Sequence, residues 1–199
     1  MKPVLIVYAS REGHTKRIAD HLARNLNAEL LEAKHAPPGI SLDNYSAAIV
    51  AASVHVGRHE NEIVSFVKAH LRELDRIPSV FLSVSLSEAG AEDPSATPDR
   101  RAQAAADVQR MIDVFLESTG WNPWRIQAVA GALMYSKYNF LLRWIMKRTA
   151  ARAGGSTDTS RDHVYTDWAA LDRLALDVAK PQSSPERESS TREGHLSRR

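Results

Sequence analysis

The chain has 199 residues, of which 43% are hydrophobic and 25% charged, and its formal net charge is +2. These values are typical of a soluble globular protein of about one domain, long enough to bury a sizeable core. The chain contains no cysteine, which excludes disulfides, a cysteine nucleophile, cysteine-ligated zinc and conventional iron–sulfur clusters.

The sequence predicts a cytoplasmic protein. Its beginning has the pattern of a strand and shows neither the apolar region nor the cleavage site of a secretory signal. No run approaches the ~20 apolar residues that a membrane-spanning helix needs. Because the net charge is small, any function of charge must come from its placement, and we expect no nucleic-acid partner.

The first predicted unit is a strand, a tight turn and a helix. Residues 4–8 form an apolar, β-branched run that predicts a strand buried on both faces. The period then changes, and residues 15–27 carry the apolar stripe of a helix. The turn at 10–15 therefore joins the carboxyl end of a strand to the amino end of a helix, where backbone N–H groups and the helix dipole favour phosphate.

The turn has the pattern Ser-x-x-Gly-x-Thr, made by Ser10, Gly13 and Thr15. It resembles the phosphate loop of flavodoxins, which holds the phosphate of FMN. It lacks the glycines of a dinucleotide site and the Gly-Lys-Ser/Thr of an NTPase loop. The alternative is an ordinary turn between strand and helix, with Thr15 as N-cap.

The rest of the chain continues the alternation of strands and helices. Residues 28–32 predict a weaker strand at or near a sheet edge, and Asp167 predicts the N-cap of a last helix. The other predicted elements are strands at 47–52, 79–84 and 126–133, helices over 63–74 and from 108 to an end at Gly120, and loops at 53–57 and 85–94.

Five strands that alternate with helices predict an α/β fold with a parallel sheet covered on both faces. A phosphate loop after the first strand fits the doubly wound flavodoxin-like order 2-1-3-4-5. Ligands of such sheets bind outside the carboxyl ends of the strands, at the switch point. This topology predicts three binding loops, at 10–15, 53–59 and 85–94.

Residues 134–153 predict a helical insertion after the fifth strand. The stretch is rich in aromatic and aliphatic residues, and 125–152 contains six basic residues and no acidic one. It is either a helix packed on the domain with a solvated basic edge or a surface that meets anionic lipid. We predict a domain over 1–180 and a disordered tail over 181–199, where apolar residues are scarce.

Several segments together resemble the menaquinone-dependent protoporphyrinogen IX dehydrogenases of bacteria, flavodoxin-like FMN enzymes of haem biosynthesis. The resemblance runs from about residue 3 to about 170, and its later motifs are more specific than the first. The matching segments are 10–15, Ala52-Ser53 with Gly57, Ser83-Val84 with Leu86, 130–133 followed by Tyr135 and Tyr138, 154–159, and 164–168.

The resemblance implies that FMN relays electrons from protoporphyrinogen IX to a membrane quinone, at the inner face of the cell membrane. It implies a peripheral protein that contacts an anionic membrane surface. The sequence names no catalytic acid or base. The implied cofactor-binding residues are Ser10, Arg11, Glu12, Gly13, His14, Thr15, Ser53, Val54, His55, Gly57, Val84, Ser85, Leu86 and Ser87. The implied membrane or substrate contacts are Lys137, Phe140, Arg143, Trp144 and Lys147.

Two loops depart from the family pattern, at 53–60 and 87–94, and the departures bear on the substrate rather than on the cofactor. The spacing of His55 and His59 predicts a surface role rather than a metal site, and we expect no metal.

Two other functions remain open. One is a flavodoxin-type electron carrier, or a quinone reductase with another substrate, and the other is a domain that has lost FMN and binds a membrane or protein partner.

Overall fold

The protein is described by a computed structural model that covers residues 2–134 and 158–180. Its strands lie in one main sheet and one small ribbon. They are β1 Val4–Ala9, β2 Glu29–Glu32, β3 Ala47–His55, β4 Arg58–His59, β5 Ser79–Ser85, β6 Arg125–Ala130, β7 Ala132–Leu133 and β8 His163–Val164.

The main sheet has the order β2-β1-β3-β5-β6, and these strands are parallel. The order confirms the predicted flavodoxin-like arrangement, with β5 and β6 as the fourth and fifth strands of the prediction. β4 pairs antiparallel with the end of β3, and β7 pairs with β8.

The helices cover both faces of the sheet. They are α1 His14–Leu26, α2 Asn61–Ala69, α3 Leu71–Leu74, α4 Leu86–Glu92, α5 Pro98–Thr119 and α6 Trp168–Ala179. Short 3-10 turns lie at Ala33–His35 and Leu42–Asn44. Within the part of the chain that the structure describes, no helix is both long and apolar enough to cross a bilayer.

Alternate residues of β1 enter two separate hydrophobic cores. Leu5 packs in the core with residues of α2 and α5, while Ile6 packs in the core with residues of α1 and α6. Both side chains are fully buried. A strand buried on both faces has no polar side to show, which is why its sequence is continuously apolar rather than alternating.

Several predicted boundaries were wrong, although the elements exist. The stretch predicted as a loop at 53–57 is the end of β3 and a tight hairpin to β4. The predicted helix over 63–74 is two helices, divided at His70. Gly131 interrupts the predicted strand over 126–133.

The predicted loop at 85–94 contains helix α4. Ser85 caps this helix, because its Oγ accepts a hydrogen bond from the backbone N–H of Glu88 at 3.2 Å. Gly90 and Pro94 favoured a loop in the sequence, but Pro94 follows the helix and does not interrupt it. The predicted ends of two other helices are confirmed, since Asp167 caps α6 and Gly120 ends α5 with φ of 70°.

Three sequence predictions lie outside the described residues. They are the helical insertion beyond Met134, the disordered tail at 181–199 and the proposed contacts of the insertion. These contacts are Lys137, Phe140, Arg143, Trp144 and Lys147.

Candidate active site

A cleft of about 660 Å³ opens at the carboxyl ends of β1, β3 and β5. The three predicted binding loops meet there, as the topological argument requires. The cleft is lined by Ser10, Glu12, His14, Thr15, Ser53, Val54, His55, Val56, Gly57, Val84, Ser85, Leu86, Ser87, Asp107, Arg110, Met111, Val114, Gly131 and Ala132.

The turn between β1 and α1 forms one end of the cleft. Gly13 is the N-cap of α1 with φ of 84°, a left-handed conformation that favours glycine. Its N–H donates a hydrogen bond to Ser10 Oγ at 3.0 Å. Because α1 has no side-chain cap hydrogen bond among the described residues, the N–H groups of its first turn are available to an anion. The alternative role of Thr15 as N-cap was wrong.

His14 is buried beside this turn, with 5% of its surface exposed. The hydroxyl of Thr166 donates to the carbonyl of Ala130 at 2.6 Å. Since that hydroxyl has one proton, His14 Nε2, which lies 2.7 Å from Thr166 Oγ1, is the donor in their hydrogen bond. The neutral imidazole therefore carries a lone pair on Nδ1, a buried atom with no hydrogen-bond partner among the described residues. Burial, together with the charge of Arg17, lowers the pKa of His14 to about 4.

The hairpin between β3 and β4 forms a second wall. His55 pairs with Arg58, so that the turn consists of Val56 and Gly57, with φ of 49° and 73°. Positive φ at both positions is the requirement of a type I′ turn. Gly57 meets it without strain, whereas the β-branched Val56, whose side chain is fully exposed, is held in an unfavourable conformation.

Ion pairs connect the turn after β1 to this hairpin. His55 Nε2 lies 3.0 Å from Glu12 Oε1. The hydrogen bond to Glu12 raises the pKa of His55. Burial opposes ionisation of Glu12, but the hydrogen bond to His55 and the charges of His55 and Arg11 together outweigh it, and the pKa of Glu12 is lowered. The buried Glu60 accepts hydrogen bonds from Ser53 Oγ at 3.2 Å and from Arg11 Nε at 3.1 Å.

The chain is similar in sequence to known proteins. The flavodoxin domain family matches residues 5–160 of the chain. A protein of Leishmania major named protoporphyrinogen IX dehydrogenase (quinone) is 34% identical over 185 residues, covering 88% of this chain and 74% of that protein. The protein of the same name from Escherichia coli K12 is 31% identical over 185 residues, covering 91% of this chain and 97% of that protein.

The chain belongs to the protoporphyrinogen IX dehydrogenase family. Membership confirms the family that the sequence motifs indicated. Among solved structures, oxidised flavodoxin 1 of Bacillus cereus is similar, with 15% identity, a TM-score of 0.49, and coverage of 91% of this chain and 99% of that chain.

Most of the residues that the dehydrogenase resemblance singled out lie together in the cleft. Arg11 and Gly13 are not among the lining residues, because Arg11 turns to Glu60 and Gly13 shapes the backbone. The predicted residues that line the cleft are Ser10, Glu12, His14, Thr15, Ser53, Val54, His55, Gly57, Val84, Ser85, Leu86 and Ser87.

The predicted surface role of the two histidines was wrong for His59. Its side chain is buried between the rings of Phe81 and Phe115, and its Nε2 lies 2.9 Å from Ser83 Oγ. Burial lowers the pKa of His59 to about 4. His55 is half-buried in the cleft wall. Over 2–134 and 158–180, no group of three or more histidine and carboxylate side chains is arranged to hold a metal.

One wall of the cleft was not predicted from the sequence. Asp107, Arg110, Met111 and Val114 line it from α5, together with Gly131 and Ala132 after β6. These four residues of α5 have the spacing i, i+3, i+4 and i+7, which places polar and apolar side chains along one edge of a helix. This edge was hidden because Met111 also belongs to the stronger apolar stripe of the same helix, which faces the core.

Proposed function

We propose that the protein oxidises protoporphyrinogen IX to protoporphyrin IX with bound FMN and passes the electrons to a membrane quinone, in haem biosynthesis. The observation that carries the proposal is the cleft at the switch point of the sheet, with an anion-binding turn at one end and apolar walls. Relatives 31–34% identical carry the name of this activity. The protein would act as a peripheral protein at the inner face of the cell membrane.

The residues of the cleft fit FMN. The hydroxyls of Ser10 and Thr15 and the N–H groups at the start of α1 suit a phosphate. His14 Nδ1 is a buried polar atom that lacks a partner among the described residues and lies beside the same turn, and it would donate to the phosphate if the ring gains a proton. Apolar side chains along the cleft suit a flat aromatic ring, and they are Val54, Val84 and Leu86.

Bound FMN would supply the capacity to accept hydride equivalents and release electrons. The residues of the chain would bind the cofactor, orient it and shield it from water. Val54 and Val84 line the cleft and would shield the bound ring from water, and the Glu12–His55 ion pair connects the hairpin to the turn that would bind the phosphate. His55 would donate from Nε2 to the Glu12 carboxylate, and this hydrogen bond raises the pKa of His55.

The deciding experiment is quinone-dependent turnover. The FMN-reconstituted protein is mixed anaerobically with protoporphyrinogen IX, with and without a menaquinone analogue, and the fluorescence of protoporphyrin IX is followed. We expect fluorescence to rise only when protein, FMN and quinone are all present. A flavin-loaded protein that leaves the porphyrinogen unchanged would be an electron carrier, and a protein that binds no flavin would be a flavodoxin-like domain without FMN.

The cofactor is tested at Thr15, whose side chain is buried at the start of α1. Thr15→Ala removes a hydroxyl that would contact the phosphate, so FMN binding should weaken by ~1–3 kcal/mol. Quenching of flavin fluorescence during titration measures the affinity for FMN. Thr15→Ser keeps the hydroxyl and is the control. The FMN assignment is overturned if wild type does not quench the flavin or binds FAD far better.

A further inference from the structure

One wall of the cleft has no part in the proposed cofactor site. Asp107, Arg110, Met111 and Val114 line the cleft from α5, and we call them the α5 wall. α5 packs on one face of the sheet, whereas α1, which begins at the phosphate-binding turn, packs on the other. The group that contacts the α5 wall is therefore not the phosphate of the cofactor.

Arg110 is the only lysine or arginine among the described residues that line the cleft. Its side chain is 66% exposed, and its Nη2 donates a hydrogen bond to Asp107 Oδ1 at 2.6 Å. Asp107 Oδ1 also accepts from Gln103 Nε2 at 3.1 Å. Asp107 therefore keeps its hydrogen bond from Gln103 if Arg110 turns away. The guanidinium of Arg110 has five N–H donors and can bind a second carboxylate.

Apolar surface surrounds this guanidinium. Val114 is 46% exposed, and Val56 at the tip of the hairpin is fully exposed. Both line the same cleft as Met111. Exposed apolar side chains beside an exposed guanidinium suit a large apolar ligand that carries an acidic group.

We propose that the α5 wall binds the porphyrinogen, with Met111 and Val114 against the tetrapyrrole and the Arg110 guanidinium on a propionate carboxylate. This inference rests on the proposed function and identifies Arg110 as a residue that distinguishes a carboxylated porphyrin from a neutral one. The carboxylate takes the place of Asp107 beside the guanidinium, so that Asp107 competes with the ligand.

The test measures binding without turnover. The FMN-loaded protein is titrated into protoporphyrin IX or its dimethyl ester, which lacks the carboxylate charges, in the same mild detergent, and fluorescence anisotropy gives Kd. We compare Arg110→Ala with Arg100→Ala, which removes an exposed arginine from the same helix but outside the cleft. Melting temperature and FMN content show that both variants are folded.

We expect Arg110→Ala to raise the Kd of the diacid about three- to tenfold, because an exposed ion pair contributes modestly. The Kd of the ester should not change. Arg100→Ala should change neither Kd, and Arg110→Lys should retain part of the preference for the diacid. Asp107→Asn removes the competing carboxylate and should tighten diacid binding.

The inference is overturned if Arg110→Ala and Arg100→Ala bind the diacid equally, or if wild type does not prefer the diacid to the ester. This failure is separate from a failure of the proposed function. Quinone-dependent turnover that is insensitive to Arg110 would refute only the role of the α5 wall. A diacid preference that depends on Arg110, in a protein without turnover, would support the wall and refute the proposed function.

Discussion

At the scale of single residues, we expect His14 to connect cofactor binding to proton uptake. Its Nε2 is fixed as a donor to Thr166, and the neutral ring offers only a lone pair at Nδ1. A phosphate group is an acceptor, so contact with Nδ1 requires a proton on the ring or on the phosphate. Of the nearby charged groups, Arg17 lowers the pKa of His14, and Glu12 on the same turn is paired with His55.

We therefore predict that FMN binding takes up a proton. In the free protein the pKa of His14 is about 4, and a bound phosphate would raise it. FMN affinity should then fall as the pH rises through the pKa of His14 in the bound form. Below about pH 4, where His14 is protonated in the free protein as well, a further drop in pH should not increase the affinity. Calorimetry near pH 7 in two buffers of different ionisation enthalpy measures the uptake.

The matched variants are His14→Gln and His21→Gln. His14→Gln supplies a neutral amide donor, so FMN should still bind but without proton uptake. His21 lies on the same helix outside the cleft, beside Asp172, and its change should leave the uptake intact. Wild type without uptake, or His14→Gln with the same uptake, would contradict the role of His14.

His14 and His59 also show what a sequence conveys about single residues. Each lies in a polar or glycine-containing stretch, where a histidine is usually exposed. Their burial depends on residues far along the chain, Thr166 for His14 and Ser83 for His59. No local pattern contains that information.

At the scale of elements, the hairpin between β3 and β4 stores local strain. Val56 adopts φ of 49° with a fully exposed side chain, so it has no packing to lose when replaced. Asparagine tolerates this conformation, and Asn-Gly is the preferred pair in a type I′ turn.

Val56→Asn should therefore raise the free energy of unfolding by about 1 kcal/mol. Urea denaturation measures the change. Val164→Asn is the control, because Val164 is also exposed but lies in strand β8, where asparagine is disfavoured. If Val56→Asn lowers the stability as the control does, the turn is not strained.

The sequence predicted the elements better than their ends. Continuous apolar runs identified β1, β3 and β5, because such strands must be buried on both faces, and the strand order followed from the alternation with helices and the phosphate loop after the first strand. The hairpin was missed because valine is a poor turn former. The break after β6 was missed because it depends on another strand. Gly131 N donates to Ser85 O at 2.8 Å, and a Cβ at Gly131 would lie 3.3 Å from that oxygen.

At the scale of the whole molecule, the cleft is a product of topology. Its walls come from residues far apart in sequence, and only the carboxyl ends of parallel strands bring them together. This is why the location of the cleft could be predicted without a specific motif. The α5 wall could not, because a helix can show any edge to the cleft until its packing is known.

The whole protein is also predicted to bind anionic membranes through residues 134–153, nearly all of which lie outside the described residues. Composition supports this prediction, since six basic residues and no acidic one occur over 125–152. An anionic surface attracts each nearby basic residue by about 1 kcal/mol, and aromatic residues favour the interface. Such docking would bring a bound flavin to quinones in the bilayer.

Vesicle co-sedimentation tests this prediction. Wild type should pellet with anionic vesicles at low salt and less at high salt. Arg143→Glu with Lys147→Glu should weaken binding by about 30-fold or more while FMN stays bound. The exposed pair Lys68→Glu with Arg72→Glu has the same charge change and should pellet nearly as wild type. Equal pelleting of both double variants would leave the segment as structural packing.

The short ribbon of β7 and β8 has a consequence for how this protein can vary. Leu133 pairs with His163, so the two ends of the intervening stretch are held side by side at one corner of the sheet. The entropy cost of closing a loop grows only with the logarithm of its length, so that doubling the length between ends held in this way costs only about 0.6 kcal/mol. Evolution can therefore lengthen, shorten or exchange this stretch with little penalty to the register of the sheet, and an engineer could replace it as a cassette.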